Sequence, residues 1–339
     1  MMKKIFYALL GLLTACIVLG SCSTEDTAAL AISQMFRSSS QAPLFLNCKA
    51  VSGNEIEFNF SQPVTVKSVS FTPVLEVASV EDGSTVRVRL AETPAPGVRF
   101  TADLLAEDAG RNTINVIVPF RSRNDRMPSL VINELFTENN NSAKKPEFIE
   151  LKIISDGNLG AIRVVILGNT NTSKHTVYEF LPLEVKKGDY VTLHLRTLDE
   201  GCINEYGGKI KESGGVNSSE YAWDFWMPGS TKLMQKAATT VYVLDQDDKV
   251  IDAVMISENP DALWSKDYFA EAADFLFQQG AWKSADGNIC RPADAVISKG
   301  ITNTRSLSRD ETKDTNTAAD WYLTASSSAT PGMPNSPKP

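Results

Sequence analysis

Short runs in which hydrophobic and polar residues alternate dominate the chain from Pro43 onward. In the stretch 55–60, apolar Ile56, Phe58 and Phe60 alternate with polar residues, and this period of two predicts a strand with one buried face. Similar runs follow at 66–71, 75–80, 85–90, 99–105 and 113–120, with Gly-containing turns between several of them. Many short strands at regular spacing predict a β-sandwich over residues 43–125.

A second β pattern begins after the polar hinge at 121–128. Its apolar runs lie at 130–136, 147–154, 161–167, 176–182, 188–195, 239–244 and 249–256. Two segments without this alternation, at about 199–230 and 257–300, are predicted as insertions. The chain is therefore expected to be all-β, with a second sandwich over 128–336.

The second insertion carries the one strong helical signal. Between Asn259 and Gly280, large apolar residues recur at three- and four-residue spacing, Pro260 suits a first helical turn, and Gly280 suits the exit. The pattern predicts a helix whose apolar stripe either packs on its own sandwich or meets a partner.

Residues 1–21 have the pattern of an export signal. Lys3 and Lys4 precede a 15-residue apolar run at 5–19, which is short for a membrane span of about 20 residues. The stretch 19–22, Leu-Gly-Ser-Cys, resembles the lipobox of bacterial lipoproteins, and this resemblance implies that Cys22 is lipidated after the leader is removed. Residues 22–42 would then be a flexible tether to the membrane. Ser23–Asp26 resembles the acidic surface-export tag of some Gram-negative outer-membrane lipoproteins, which implies a surface-exposed protein.

The net charge of the chain limits the classes of partner that it could bind. The 339 residues carry a formal net charge of −8. A surface of that sign repels phosphate backbones, so nucleic acid is not an expected partner.

Two family resemblances refine the β assignment. The stretches 58–64 and 106–113 resemble the F-S-x-P-V and D-x-x-G-N marks of bacterial Ig-like domains in surface-layer and adhesin proteins, although Arg111 interrupts the usual Gly-Asn pair. The order of motifs across 130–336 resembles the lamin-tail domain, on the residues Ile132–Glu134, Glu147–Leu151, Ser306–Arg309, Trp321, Pro331-Gly332 and Asn335. The resemblances imply two Ig-like β-sandwiches in tandem and a role in binding or tethering, with no chemistry of their own.

Side chains suited to catalysis are scarce. The two histidines, His175 and His194, have no second ligand at metal spacing, and both are expected at the surface. Glu134, Glu147 and Glu150 could serve a glycosidase, which needs two acids at a set separation. They also coincide with the lamin-tail marks, so a structural role is the favoured interpretation and no catalytic residue is assigned.

A run of aromatic residues is the candidate binding face. Tyr221, Trp223, Phe225 and Trp226 lie within six residues in the first insertion. Aromatic side chains on a loop offer large contact area to a glycan or protein. The alternative is that the insertion folds down and buries them as a satellite core.

Two further predictions concern metal and cysteine chemistry. Asp245, Asp247 and Asp248 form a weak calcium candidate, without the Gly and distant Glu of an EF-hand loop. Cys48 is expected to be a buried free thiol, whereas Cys202 and Cys290, one in each insertion, are predicted to form a disulfide.

The function that fits these observations is a lipid-anchored envelope protein that binds glycan or protein without catalysis and needs no cofactor. The alternative is a carboxylate-dependent glycoside hydrolase or nuclease-associated accessory protein. An enzyme would need a cleft in which two acids face each other.

Overall fold

A computed structural model describes residues 42–138, 142–168, 175–261 and 263–339. The chain is mostly β, as predicted. Its described residues divide into two compact units, the first over 42–49, 56–90 and 101–119, and the second over 50–55, 91–100 and the described residues from 120 onward. The predicted division into domains at 125–128 stays a prediction, and the predicted leader and tether, including Cys22, lie outside the described residues.

The first unit is built on one long strand. Strand β2 (Glu55–Thr72) joins two stretches that the sequence analysis predicted as separate strands. The others are β1 (Phe45–Ser52), β3 (Val77–Glu81), β4 (Gly83–Leu90), β5 (Arg99–Asp108) and β6 (Thr113–Arg121). They form a sheet in the order β3-β4-β2-β5-β6, with β1 also paired to β2. Alternate residues of β2, β4 and β5 are buried, including Phe58, Val86, Val88 and Leu104.

The loop between β5 and β6 explains the departure at Arg111. Asp108 accepts hydrogen bonds from the backbone N–H and the side-chain amide of Asn112. Arg111 takes a left-handed backbone conformation (φ 64°) inside this turn. Such a φ is uncommon for a residue with a Cβ. The bonds between Asp108 and Asn112 close the turn around Arg111.

Two sheets form the second unit. One has the strand order β14-β13-β8-β7-β18-β19, the other β11-β10-β15-β16-β17, and β9 pairs with β12 in a short ladder. The bounds are β7 Leu130–Phe136, β8 Phe148–Ile153, β9 Gly157–Asn158, β10 Arg163–Leu167, β11 Thr176–Glu179, β12 Glu184–Val185, β13 Tyr190–His194, β14 Ala222–Trp226, β15 Ala238–Leu244, β16 Val250–Ser257, β17 Val296–Ile297, β18 Leu307–Arg309 and β19 Trp321–Leu323. Side chains from both sheets meet in one hydrophobic core.

The predicted helix forms, but later than expected. Helix α1 runs over Asp267–Gln278, with Lys266 at its N-cap. Asn259 does not cap it, because its side chain accepts a bond from the N–H of Asp261 in a separate turn. The apolar stripe is buried at Phe269, Ala272, Ala273 and Leu276. The stripe joins the core of the second unit, so the intramolecular interpretation of the helix is confirmed. Within the described residues, none of the helices has the length and apolar character needed to cross a membrane.

Candidate functional site

A cleft of about 710 Å³ opens in the second unit beside the N-terminal half of β7. This volume lies in the range of ligand-binding pockets. Its walls come from β7, β8, the start of β16 and the loop that follows β18. Charged side chains of both signs line the cleft. The basic ones are Lys152, Lys249, Arg309 and Lys313, and the acidic ones are Asp245, Asp252, Glu311 and Asp314.

A buried ion pair forms the floor of the cleft. Arg309 on β18 places Nη2 2.6 Å from Oδ2 of Asp252 on β16, and both side chains are about 95% buried. The same carboxylate oxygen accepts the backbone N–H of Ile132 at 2.6 Å, and Arg309 Nε donates to the Ile132 carbonyl at 2.8 Å. The guanidinium carbon also lies 5.0 Å from the ring centroid of Trp321. The pair thus joins the two sheets through the edge of β7.

Burial dominates the electrostatics of this floor. It raises the pKa of Asp252 to about 6, although the Arg309 charge and the Ile132 N–H oppose the rise. Asp252 is therefore mostly ionised at neutral pH and mostly protonated at pH 5.

Most charges on the rim are already paired within the chain. Lys152 bonds Glu311 and lies 5.5 Å from the ring centroid of Tyr190. Lys313 bonds Asp310 at 2.9 Å. Lys249 is exposed, and no ion pair joins it to another described residue.

Glu134 and Glu150 lie opposite each other on β7 and β8, away from the lining of the cleft. Glu134 accepts hydrogen bonds from the Ser306 and Ser308 hydroxyls and from the N–H of Thr330. Glu150 accepts the N–H of Gly332 at 2.5 Å. Burial raises the pKa of both carboxyls, and the neighbouring Glu134 raises that of Glu150 further.

These acids hold the end of the chain, residues 329–336, which we call the C-terminal strap. Asn335 strengthens the hold, because its side-chain amide donates to the carbonyls of Asn133 and Arg309. Gly332 has φ 81°, and a Cβ there would lie 2.8 Å from the backbone nitrogen of Ala222. The strap therefore needs glycine at this position.

Glu147 serves a different contact. It is buried and bonds Arg196 Nε at 2.7 Å, and burial outweighs that positive charge and raises the pKa of Glu147. The structure thus brings Glu134 and Glu150 together and gives Glu147 its own partner.

The aromatic candidate face is wrong for three of its four residues. Trp223, Phe225 and Trp226 lie on β14 and are buried, because β14 pairs in parallel with β13 and becomes part of the sheet. Tyr221, just before the strand, is 61% exposed. The alternative that the insertion folds down onto the core is the one that the structure bears out.

The prediction that His194 lies at the surface is also wrong. Strand β13 is buried on both faces, and the His194 ring stacks on Trp226 with centroids 3.8 Å apart. Its Nε2 hydrogen-bonds Asp224 at 2.8 Å. His175 is exposed, as expected.

The predicted disulfide between Cys202 and Cys290 does not form, and Cys48 is free as well. Cys202 Sγ donates to Asp199 at 3.0 Å, whereas the Cys290 side chain is buried and its backbone carbonyl accepts a hydrogen bond from Trp264 Nε1 at 3.1 Å. Burial raises the pKa of all three thiols to about 12. Cys48 is only partly buried, less than expected.

The three aspartates of the calcium candidate have other partners. Asp247 bonds Arg123, Asp248 bonds Arg163 at 2.7 Å, and Asp245 accepts backbone N–H groups of its own turn. Across the described ranges, no group of three His, Cys, Asp or Glu side chains is placed to hold a metal ion.

The sequence analysis missed Asp252 as a site residue. Asp252 is the single charged position in the apolar run 250–256, and a lone acid in a buried strand is a signal that a buried cation faces it. Arg309 was noted only as part of a motif.

The second unit is a β-rich fold of two sheets with a charged cleft beside β7, and comparison with known proteins gives its family. The family model described as "TP_1001_2nd: protein second domain" matches residues 128–323, more than half of the chain. The chain therefore belongs to this family.

An uncharacterized protein of Treponema pallidum (strain Nichols) is 24% identical over 256 residues, which are 73% of this chain. The chain spans 63% of the length of that relative.

Solved structures show only weak likeness. The N-terminal part of the bacterial S-layer protein SbsC has a TM-score of 0.25 and 18% identity, over 44% of this chain and 40% of that one. A DUF4876 family protein from Bacteroides thetaiotaomicron has a TM-score of 0.29 and 13% identity, over 83% and 94% of the two chains.

Proposed function

We propose that this chain is a lipid-anchored protein of the Gram-negative outer membrane, exposed at the cell surface, whose second unit binds a macromolecular partner without transforming it. In this proposal Cys22 carries the acyl chains and the first unit is an Ig-like spacer. The second unit is an elaborated lamin-tail-like sandwich that presents the cleft.

The proposal that the protein binds its partner without catalysis rests on the positions of three buried acids. Glu134, Glu147 and Glu150 are fully buried, accept hydrogen bonds from their own chain, and lie outside the lining of the cleft. A carboxylate-dependent glycoside hydrolase needs two carboxyl groups that face the substrate about 5–10 Å apart. These three acids support the core and the strap instead.

The alternative, a carboxylate-dependent hydrolase or nuclease accessory protein, has one observation in its favour. Asp252 lines the cleft and has a raised pKa of about 6, as a general acid would. However, its Oδ2 is bound by both Arg309 and the Ile132 N–H, and only 5% of its side chain is exposed. Release of sugar or nucleotide from soluble polysaccharides or nucleic acid by the purified chain, lost in Asp252→Asn, would favour this alternative over the binding module.

Anchoring is tested in cells that express the whole chain with its leader and are fed labelled palmitate. We expect label on the wild type and on Cys48→Ser, no label on Cys22→Ser, and a mature wild-type N-terminus at residue 22. Label on Cys22→Ser at the wild-type level would overturn the assignment of the anchor. Two or three acyl chains are needed for stable attachment, at about 0.8 kcal/mol per buried CH₂.

A further inference from the structure

The edge of β7 inside the cleft presents backbone groups that no neighbouring strand takes up. Ile153, the residue opposite Leu130 on β8, donates its N–H to Asp189 and accepts the N–H of Gly188 with its carbonyl. Ser129, one residue earlier, instead bonds β8 through Ile154. In an antiparallel pair these two arrangements alternate, so the N–H and C=O of Leu130 point away from β8.

Ile132, two residues after Leu130, has the same orientation and shows where the backbone N–H and C=O of this edge point. The N–H and C=O of Ile132 meet Asp252 and Arg309 at the floor of the cleft. Strand β18 continues the sheet on this side, but it pairs only with Glu134 and Leu135. Beyond its end the ion pair occupies the place of a partner strand at Ile132. Leu130 is among the lining residues of the cleft but is only 3% exposed, so a partner must reach its backbone groups through a narrow opening.

The charges of the cleft indicate what would lie there. The acids of the lining are engaged: Asp252 and Asp314 by Arg309, Glu311 by Lys152, and Asp245 by N–H groups of its turn. The ammonium of Lys249 is the lining charge that pairs with no described residue. A ligand that pairs with Lys249 would carry a carboxylate.

We infer that the cleft binds an extended acidic peptide segment of a partner protein, which adds to the edge of β7 at Leu130 and places a carboxylate on Lys249. This inference rests on the proposed binding role and names its ligand class. Main-chain hydrogen bonds to a free strand edge are a general means of peptide capture. A polysaccharide fits less well, because none of the lining residues is aromatic and sugar rings would have no face on which to stack.

The test is a selection of random heptapeptides displayed on phage against the chain over residues 23–339. Peptides enriched on the wild type are then synthesised with a fluorescent label and titrated into the wild type, Lys249→Glu and Lys187→Glu. Lys187 is the matched control, since it is also an exposed lysine in a turn between two strands and lies outside the cleft. We expect selected peptides with a central acidic residue and no central proline, and at least tenfold weaker binding to Lys249→Glu alone.

Hydrogen exchange locates the bound peptide. The Leu130 amide, which gains a carbonyl partner in the complex, is expected to exchange at least tenfold more slowly once the peptide is bound. An absence of enriched peptides, equal binding to both variants, or an unchanged Leu130 amide overturns the inference.

A parallel titration with immobilised polysaccharides separates this inference from the proposed function. Lys249-dependent binding of a polysaccharide, without peptide binding, overturns the peptide inference and leaves the binding module in place. Cleavage of the added peptide or polysaccharide overturns both.

Discussion

Replacement of Arg309 by Met should destabilise the second unit by an amount that depends on pH. The substitution keeps most of the side-chain volume but leaves Asp252 buried without its cation and the Ile132 carbonyl without its donor. Breaking a buried ion pair by removing one partner costs about 3–5 kcal/mol. At pH 8, where Asp252 is ionised in the wild type, we expect a loss of this size in the free energy of unfolding.

The penalty should be smaller at pH 5, and the sign follows from the pKa of Asp252. Burial raises this pKa from 3.8 to about 6, so the folded state holds the proton more tightly than the unfolded state. The contribution of Asp252 to the free energy of unfolding is therefore largest below its unfolded pKa of 3.8. It falls by about 3 kcal/mol as the pH rises from there through the folded pKa of about 6. At pH 5 the wild type already has a mostly neutral Asp252, and Arg309→Met then loses mainly the Ile132 bond and the Trp321 contact, about 2 kcal/mol together.

Urea unfolding of residues 23–339 followed by tryptophan fluorescence measures the effect on the second unit, because all five tryptophans lie in it. Arg126→Met is the matched control: its pair with Glu184 is exposed, so its cost should stay within about 1 kcal/mol at both pH values. A penalty for Arg309→Met that is equal at pH 5 and pH 8 within about 0.5 kcal/mol would refute the reasoning.

Three further predictions concern the interior of the second unit. His194→Ala should cost about 2–4 kcal/mol in urea unfolding, because it removes a buried ring stacked on Trp226 and leaves Oδ1 of Asp224 without its partner. His175→Ala should change little, and equal effects of the two substitutions would contradict this. Gly332→Ala should lower the thermal midpoint, since φ is 81° and the added Cβ would meet the backbone of residues 221 and 222, and an unchanged midpoint would show that the strap is not seated. Alkylation at pH 8 without reductant, followed by mass spectrometry, should modify Cys48, Cys202 and Cys290 completely in the unfolded chain. In the folded chain it should modify little of the buried Cys290. If Cys202 and Cys290 resist alkylation in urea, the two residues form a disulfide after all.

The alternation of apolar residues was sufficient to predict the β class and most strand positions. It succeeded where one face of a strand is buried, as in β4 and β5 of the first unit. It failed at β13 and β14, where both faces are buried and polar residues such as His194 and Asp224 satisfy each other inside. Alternation assigns the polar positions of such a strand to solvent, which explains the error for His194.

Parts of the site depend on contacts that local sequence does not encode. Asp252 and Arg309 lie 57 positions apart in the chain, and nothing in the local sequence indicates that the two side chains meet. The aromatic run at 221–226 resembled a loop because its flanks are Gly-rich, yet parallel pairing with β13 makes it a strand. The disulfide was predicted from the number of cysteines and from their placement in two insertions. Neither observation indicates how far apart the two sulfur atoms lie in the fold.

Glu134 and Glu150 anchor the C-terminal strap, because they accept the backbone N–H groups of Thr330 and Gly332. Amide hydrogen exchange at Gly332 tests this claim most directly, in Glu150→Met and in Glu147→Met as the control, an equally buried acid that is bound to Arg196 instead of the strap. A buried N–H left without its acceptor costs about 1–3 kcal/mol, so exchange at Gly332 should accelerate about five- to a hundredfold in Glu150→Met relative to Glu147→Met. Equal exchange in the two variants would show that Glu150 does not hold the strap and would contradict the account.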